Sequence, residues 1–330
     1  MEVILLGASF AVILAGALVF TNAVEWIGHR LAIGEGAVGS LLAAVGTAMP
    51  ETLIAIVALF GATKSEEVAI GAIVGAPFLL GTLAMGLVGL FAFLYRRRRR
   101  QGVELRAHVP TLDRDLAFFL AFFALALALG FGAPPGVRLA AGIAFFAAYP
   151  IYVWRTLARG GEIQAEDTLN PLIMEVRRGR REEPSLKIAV LQFLVGLGAM
   201  VGGAHLFVEE LLTVAEQIGV EAIVLSLILA PLATELPEKV NSFFWIREGK
   251  DSLALGNITG AMVFQSTIPV GIGLIFTDWG LSGNAAISMG LGLAGGVLAY
   301  WALRLRGRFE LPAVIGWIAL YAAFIVIVSV

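Results

Sequence analysis

Two short echoes in this sequence hold side chains able to bind a hard cation. AVGTAMPETL (44–53) and PLATELPEKV (231–240) share x-T-x-[ML]-P-E at a constant offset. They place Glu51 within the apolar stretch 37–61 and Glu238 within the apolar stretch 219–246. An unpaired charge at mid-membrane costs from about 2.5 kcal/mol upward, so ionisable residues there mark ion paths. Two glutamates at equivalent positions are expected to approach each other, and their repulsion in low dielectric is relieved by a bound divalent cation. Pro50 and Pro237 each remove a backbone donor and disfavour helix just before them. Helix breaks are therefore predicted there, with the carbonyls near Gly46–Thr47 and Ala233–Thr234 as further cation ligands, tolerable where they line a cavity. Glu235 lies three residues before Glu238, nearly on one helical face. Lys239 lies four residues after Glu235, at salt-bridge spacing. Lys239 reads either as the partner that neutralises Glu235 or as a tethered cation standing in for a transported one. Gln265 takes the position equivalent to Leu80, and Asn241, Ser242, Asn257 and Thr259 add neutral oxygens. Hard oxygen donors, with no cysteine and no in-span histidine pair, suit Ca²⁺ or another hard cation rather than zinc or copper.

The elements that must position these residues are membrane helices. The chain of 330 residues is 59% hydrophobic and only 15% charged. A soluble domain carries about 25% charged residues, so soluble, disordered and nucleic-acid-binding classes are excluded. A spanning helix needs about 20 mostly apolar residues. Ten stretches qualify, roughly 3–24, 37–61, 67–94, 115–131, 137–154, 187–212, 219–246, 252–276, 284–303 and 311–330. The first lacks an A-x-A-like cleavage site and reads as a retained helix. Of the 23 Lys and Arg residues, all but Lys64, Arg138 and Lys239 fall in loops on one side. By the positive-inside rule that side is cytoplasmic and both termini are extracytoplasmic. The run Arg96 to Arg100 then reads as a stop-transfer and topology signal. Trp26, Tyr95, Tyr149, Tyr152, Trp154, Trp245, Trp279, Tyr300 and Trp301 sit at span ends, as interfacial anchors do. His29 and His108 fall in loops and are expected to be solvated. His205 falls inside the sixth stretch and is expected to be a satisfied, buried imidazole.

A second echo, AIGAIVGAPFLL (69–80) against ALGNITGAMVFQ (254–265), follows the first in the same order. The chain divides accordingly into a first repeat of five spans (1–154), a polar cytoplasmic linker (155–186) and a second repeat of five spans (187–330). Five is odd, so the halves enter the membrane in opposite directions. Inverted-topology repeats are a construction of secondary transporters, with substrate at the midplane where interrupted helices meet.

These residues resemble the calcium/cation antiporter superfamily, the sodium/calcium exchanger group in particular. GTAMPE (46–51) and ATELPE (233–238) are similar to its G-T-S-x-P-E signature, and the G-x-x-x-G-A stretches 71–76 and 256–261 to the signatures of its third and eighth helices. The resemblance covers the whole chain. It implies an all-α membrane protein of ten transmembrane helices in two inverted repeats. It also implies that Glu51 and Glu238 are the paired calcium ligands and that Thr47 and Thr234 are the signature threonines. The chain departs from the pattern at Ala48 and Glu235, where the family has a second hydroxyl. It departs again at Ala76 with Leu80 and at Ala261 with Gln265, where the family has serine and a polar ligand. Those departures fall on positions the family uses for sodium.

The expected metal set is therefore Glu51, Glu238, Glu235, Thr47, Thr234 and Gln265, with Lys239 as charge partner. The expected activity is antiport of Ca²⁺, or a similar divalent cation, against Na⁺ by alternating access in the cell (inner) membrane. Proton coupling is the alternative, since lost hydroxyls weaken Na⁺ coordination. A channel and a non-transporting homologue stay open. No catalytic cluster points to an enzyme, and neither a bound cofactor nor a nucleic-acid partner is expected. The partners are the lipid bilayer and inorganic cations.

Overall fold

The computed structural model describes residues 1–30, 49–106, 108–158, 171–178 and 185–329. Thr47 lies outside the described residues, as do the side chains of Glu238 and Lys239. The described helices are α1 (Glu2–Arg30), α2 (Met49–Phe60), α3 (Glu66–Leu79), α4 (Met85–Leu94), α5 (Val109–Leu129), α6 (Pro135–Ala158), α7 (Leu186–Ile218), α8 (Ala222–Glu248), α9 (Asp251–Gln265), α10 (Ile268–Phe276), α11 (Gly283–Arg306) and α12 (Leu311–Ser329). Each of the ten expected stretches contains described helix. Seven described segments are long and apolar enough to cross a membrane. The other three miss that measure for visible reasons. Twelve residues of α2 are described, α5 carries Asp113, Arg114 and Asp115 in its second turn, and α8 is apolar only as far as Leu232. The chain is a multi-pass membrane protein.

Lipid tails are as apolar as leucine side chains, so close helix contact depends on small residues. A Cβ on Gly16 would stand 2.9 Å from the Met200 nitrogen, and one on Gly196 would stand 2.7 Å from the Phe20 nitrogen. Gly203 faces Ile13 and the Ser9 carbonyl. The contacts move backward along α1 as they move forward along α7, so these two long helices pack backbone to backbone and antiparallel. Helix α3, which carries the second echo in the first half, approaches α8 just as closely. Gly75 in α3 meets the Leu227 carbonyl and the ring of Pro231 in α8, and Gly71 meets Ser226, whose hydroxyl donates to the Val68 carbonyl at 2.8 Å.

Of the two interruptions predicted at the prolines of the first echo, the one before Pro50 falls on residues outside the described ones, and the one at Pro237 is not formed. Pro50 lies in the first turn of α2 as described, and α8 runs unbroken from Ala222 to Glu248 through Pro231 and Pro237. A proline inside a continuous helix still leaves the carbonyl four residues back without its usual donor, here those of Leu227 and Ala233. The described interruptions fall at repeat-related positions in the second echo. A π turn at Leu80–Ala84 joins α3 to α4, just after Pro77 withdraws one donor from the ladder. In the other half the helix stops at Gln265 and restarts at Ile268, with Pro269 in the new first turn. Hydroxyls satisfy the freed carbonyls in both places. Thr82 donates to Phe78 at 2.6 Å, and Thr267 donates to Val263 at 2.8 Å and to Phe264 at 3.0 Å.

One buried ion pair joins the halves at the arginine-rich end. Of the five consecutive arginines, Arg99 alone turns inward. Its Nη1 donates to Asp251 Oδ1 at 2.8 Å and to the Ile246 carbonyl at 2.6 Å. Its Nη2 donates to Asp251 Oδ2 at 2.9 Å and to the Glu104 carbonyl at 2.8 Å, and its Nε donates to the Gly102 carbonyl at 2.9 Å. All five guanidinium donors are thus engaged, and Gly102 adopts the left-handed φ of +60° within the turn that brings its carbonyl round. Asp251 accepts a further bond from the Arg106 nitrogen at 2.9 Å. The pair therefore fixes the α4–α5 loop against the corner between α8 and α9.

Candidate functional site

Three helices deliver three side chains to one point. Glu51 comes from α2, Glu235 from the middle of α8, and Gln265 from the last residue of α9. They are 2%, 1% and fully buried respectively, within the apolar interior. The Gln265 amide nitrogen donates to Glu51 Oε1 at 2.7 Å and also to Glu235 Oε1. One NH₂ group thus bridges a carboxylate of the first half to a carboxylate of the second. The Gln265 carbonyl oxygen is buried and has no hydrogen-bond partner among the described residues. Gln265 reaches this place because α9 ends there, and the hydroxyls of Ser266 and Thr267 close the break on their own side.

Thr234 is buried beside Glu235, and its hydroxyl donates to the Ala230 carbonyl one turn back at 3.1 Å. Its hydrogen is therefore held by its own helix, and only its oxygen lone pairs can face a ligand. The Ser242 hydroxyl lies two turns further along the same face of α8 as Glu235, buried and without a hydrogen-bond partner among the described residues. Of the six expected metal ligands, Glu51, Glu235 and Gln265 converge and Thr234 adjoins them. Thr47 and the side chains of Glu238 and Lys239 lie outside the described residues.

A residue not picked out from the sequence completes the polar interior. Asp115 on α5 is buried, with its Oδ1 accepting from the Tyr152 hydroxyl at 2.6 Å and from Arg114 at 3.0 Å. Its Oδ2 accepts from the Thr259 hydroxyl at 2.9 Å. Thr259 is on α9, six residues before Gln265, so this network holds the helix that carries the bridging amide. The available signal was a charged residue at the edge of an apolar stretch. The Glu210 carboxylate on α7 is likewise buried, and its Oε2 has no partner among the described residues. His205 is exposed, contrary to expectation. It shares one outward face of α7 with Gly202 and Glu209, at helical spacing.

Two carboxylates and an orphaned amide oxygen are hard donors. Ca²⁺ takes 6–8 oxygens, so three such donors could supply at most part of a shell. Among the described residues no three Asp, Glu or His side chains gather closely enough to hold a metal unaided.

Comparison with known proteins agrees with this architecture. The chain matches the family model described as "Sodium/calcium exchanger protein" over residues 1–158 and 188–330. It is 23% identical over 302 residues to the sodium/calcium exchanger MaX1 of Methanosarcina acetivorans, covering 83% of this chain and 82% of that one. It is 22% identical over 245 residues to the inner membrane protein YrbG of Escherichia coli, covering 73% and 69%. Among solved structures, the H⁺/Ca²⁺ exchanger CAX superposes with a TM-score of 0.76 at 20% identity, covering 98% of this chain and 81% of that one. The sodium-calcium exchanger NCX_Mj superposes with a TM-score of 0.62 at 19% identity, covering 98% and 97%. At such identities the structural likeness speaks for the fold.

Proposed function

The chain belongs to the sodium/calcium exchanger protein family, and from that premise we propose that it exchanges Ca²⁺, or a similar divalent cation, for Na⁺ by alternating access. One observation carries the reading: Glu51 of the first half and Glu235 of the second meet on the Gln265 amide, buried at the interruption of α9. Two carboxylates in a low-dielectric interior repel, and one divalent cation neutralises both. The Gln265 oxygen, lacking a donor among the described residues, adds a neutral ligand. Glu238 and Thr47 complete the proposed shell on the family's pattern, Thr234 contributes its lone pairs, and Lys239 balances an extra carboxylate. Na⁺ competes for the same oxygens, so one species is carried in each half-cycle.

Proton coupling is the second reading, and a specific observation favours it. Ala76 and Leu80 face the interior where the family has serine and a polar ligand, and the Thr234 hydroxyl is held by its own helix. Few hydroxyls are left for Na⁺, whereas paired carboxylates can exchange a divalent ion for protons. The chain is read as a transporter without enzymatic activity or a resident cofactor. It lies in the cell (inner) membrane with both termini extracytoplasmic, and its repeats span 1–154 and 187–330 around a cytoplasmic linker.

The test is Ca²⁺ flux into reconstituted vesicles under a Na⁺ gradient and, separately, a pH gradient. Uphill Ca²⁺ movement on the Na⁺ gradient supports the first reading, and movement on the pH gradient alone supports the second. Transport driven by neither overturns both.

A further inference from the structure

The proposed exchange reaction gives no role to the cavity beside the arginine run. The burial of Arg99 turns its neighbours outward: Arg96, Arg97, Arg98 and Arg100 are all exposed. Arg96 folds back over the Phe93 ring at 4.3 Å. Arg97 and Arg98 line a cavity of about 410 Å³ together with Leu94, Tyr95 and Arg247. Arg247 comes from the other half of the chain, at the end of α8, and its guanidinium lies 5.9 Å from the centre of the Tyr95 ring. Among the described residues, no carboxylate lines this space. Two neighbouring described acids are engaged elsewhere, Asp251 by Arg99 and Glu104 by Arg106 and Arg308. Arg97, Arg98 and Arg247 make no ion pair among the described residues. Three guanidinium groups without a counter-charge among the described residues thus converge where α4 leaves the apolar layer. The flank leading away from the cavity is apolar and outward-facing, since Leu94 is 58% exposed and Leu90 39%.

We propose that this cavity binds the phosphate headgroup of an anionic phospholipid, with the acyl chains lying along Leu90 and Leu94. Arginine presents a planar fork that pairs with phosphate oxygens at two points. Basic groups just outside a membrane helix attract anionic lipids, each adding about fivefold to the affinity. The volume falls within the range of small-molecule sites, roughly 300–1,000 Å³. The apolar flank selects a lipid over a soluble anion, because a free phosphate gains nothing from Leu90 and Leu94. The site takes one arm from each half of the chain, so an occupied headgroup bridges α4 to α8.

The test uses the full chain purified in an uncharged detergent. Short-chain phosphatidylglycerol is titrated in, and binding is read by native mass spectrometry and by the thermal unfolding midpoint. Phosphatidylcholine of the same chain length and inorganic phosphate are the other two arms. Phosphatidylglycerol is expected to bind and raise the midpoint, with phosphatidylcholine and inorganic phosphate inert at the same concentration. Arg247→Gln, which leaves the five-arginine run intact, is expected to weaken binding roughly fivefold, and Arg97→Gln with Arg98→Gln roughly 25-fold. Both variants should keep the lipid-free midpoint, which separates loss of binding from loss of fold. Equal binding of inorganic phosphate would make this a soluble-anion site and overturn the proposal. So would phosphatidylglycerol binding that Arg247→Gln leaves unchanged.

Discussion

Gln265→Glu is the sharpest probe of the carboxylate bridge, because it replaces a donor group that joins two acids with a third acid. The amide nitrogen donates to Glu51 Oε1 at 2.7 Å and also to Glu235 Oε1. Even after relaxation to about 4 Å, each new pair of like charges costs about 4 kcal/mol at an effective dielectric of 20. Two such pairs make about 8 kcal/mol. The substitution also withdraws two hydrogen bonds to charged acceptors, about 1.5–3 kcal/mol each. The total rivals the entire 5–15 kcal/mol that separates a folded domain from its unfolded chain. The ion-free variant must therefore take up a proton or a cation, or unfold. Thermal unfolding of the purified variant, monitored by intrinsic tryptophan fluorescence, is the assay. In EDTA at pH 8 its midpoint is expected to lie far below that of the parent chain. Ca²⁺ restores it by bridging the carboxylates. A variant as stable in EDTA as the parent chain, and indifferent to Ca²⁺, would refute the reasoning that places carboxylates on both sides of Gln265.

Four further outcomes are expected. Glu51→Gln should abolish Ca²⁺-driven flux and weaken Ca²⁺ binding by about 2–5 kcal/mol, the usual cost of removing one partner from a buried charge contact; isothermal titration and vesicle flux both read this. Arg99→Met leaves Asp251 buried without its counter-charge and should cost about 3–5 kcal/mol of stability. Adding Asp251→Asn should restore part of that loss, as measured by a double-mutant cycle of unfolding midpoints. Gly75→Ala puts a methyl group 2.7 Å from the Leu227 carbonyl and should destabilise by about 1–3 kcal/mol. Thr259→Val removes the donor to Asp115 Oδ2 and should cost about 1–3 kcal/mol, seen as a lower midpoint in the same assay.

The sequence made the spans legible because lipid imposes a length and a polarity that twenty residues cannot disguise. It made Glu51, Glu235 and Gln265 legible as well, since charge and amide in an apolar stretch need a reason. The placement of a helix break failed at Pro237 because proline's effect on its own turn does not decide whether neighbouring helices hold the rest together. The positions that do break, Leu80–Ala84 and Gln265–Ile268, carry threonines that take over the freed carbonyls, and that compensation shows only when both echoes are superposed. Asp115 escaped notice because its partners Tyr152 and Thr259 come from helices 37 and 144 residues away. The exposure of His205 has the same origin, since nothing local tells which side of a long apolar helix its partners will cover.

The inward turn of Arg99 bears on how the protein can move. With five donors committed across the α4–α5 loop, the Ile246 carbonyl and Asp251, the corner between α8 and α9 is a fulcrum. Glu235 and Gln265 are therefore borne on two levers joined at one end. Any widening of the gap between them must be taken up at the far ends, by tilting or flexing of α8 and α9, and its amplitude there scales with distance from this hinge.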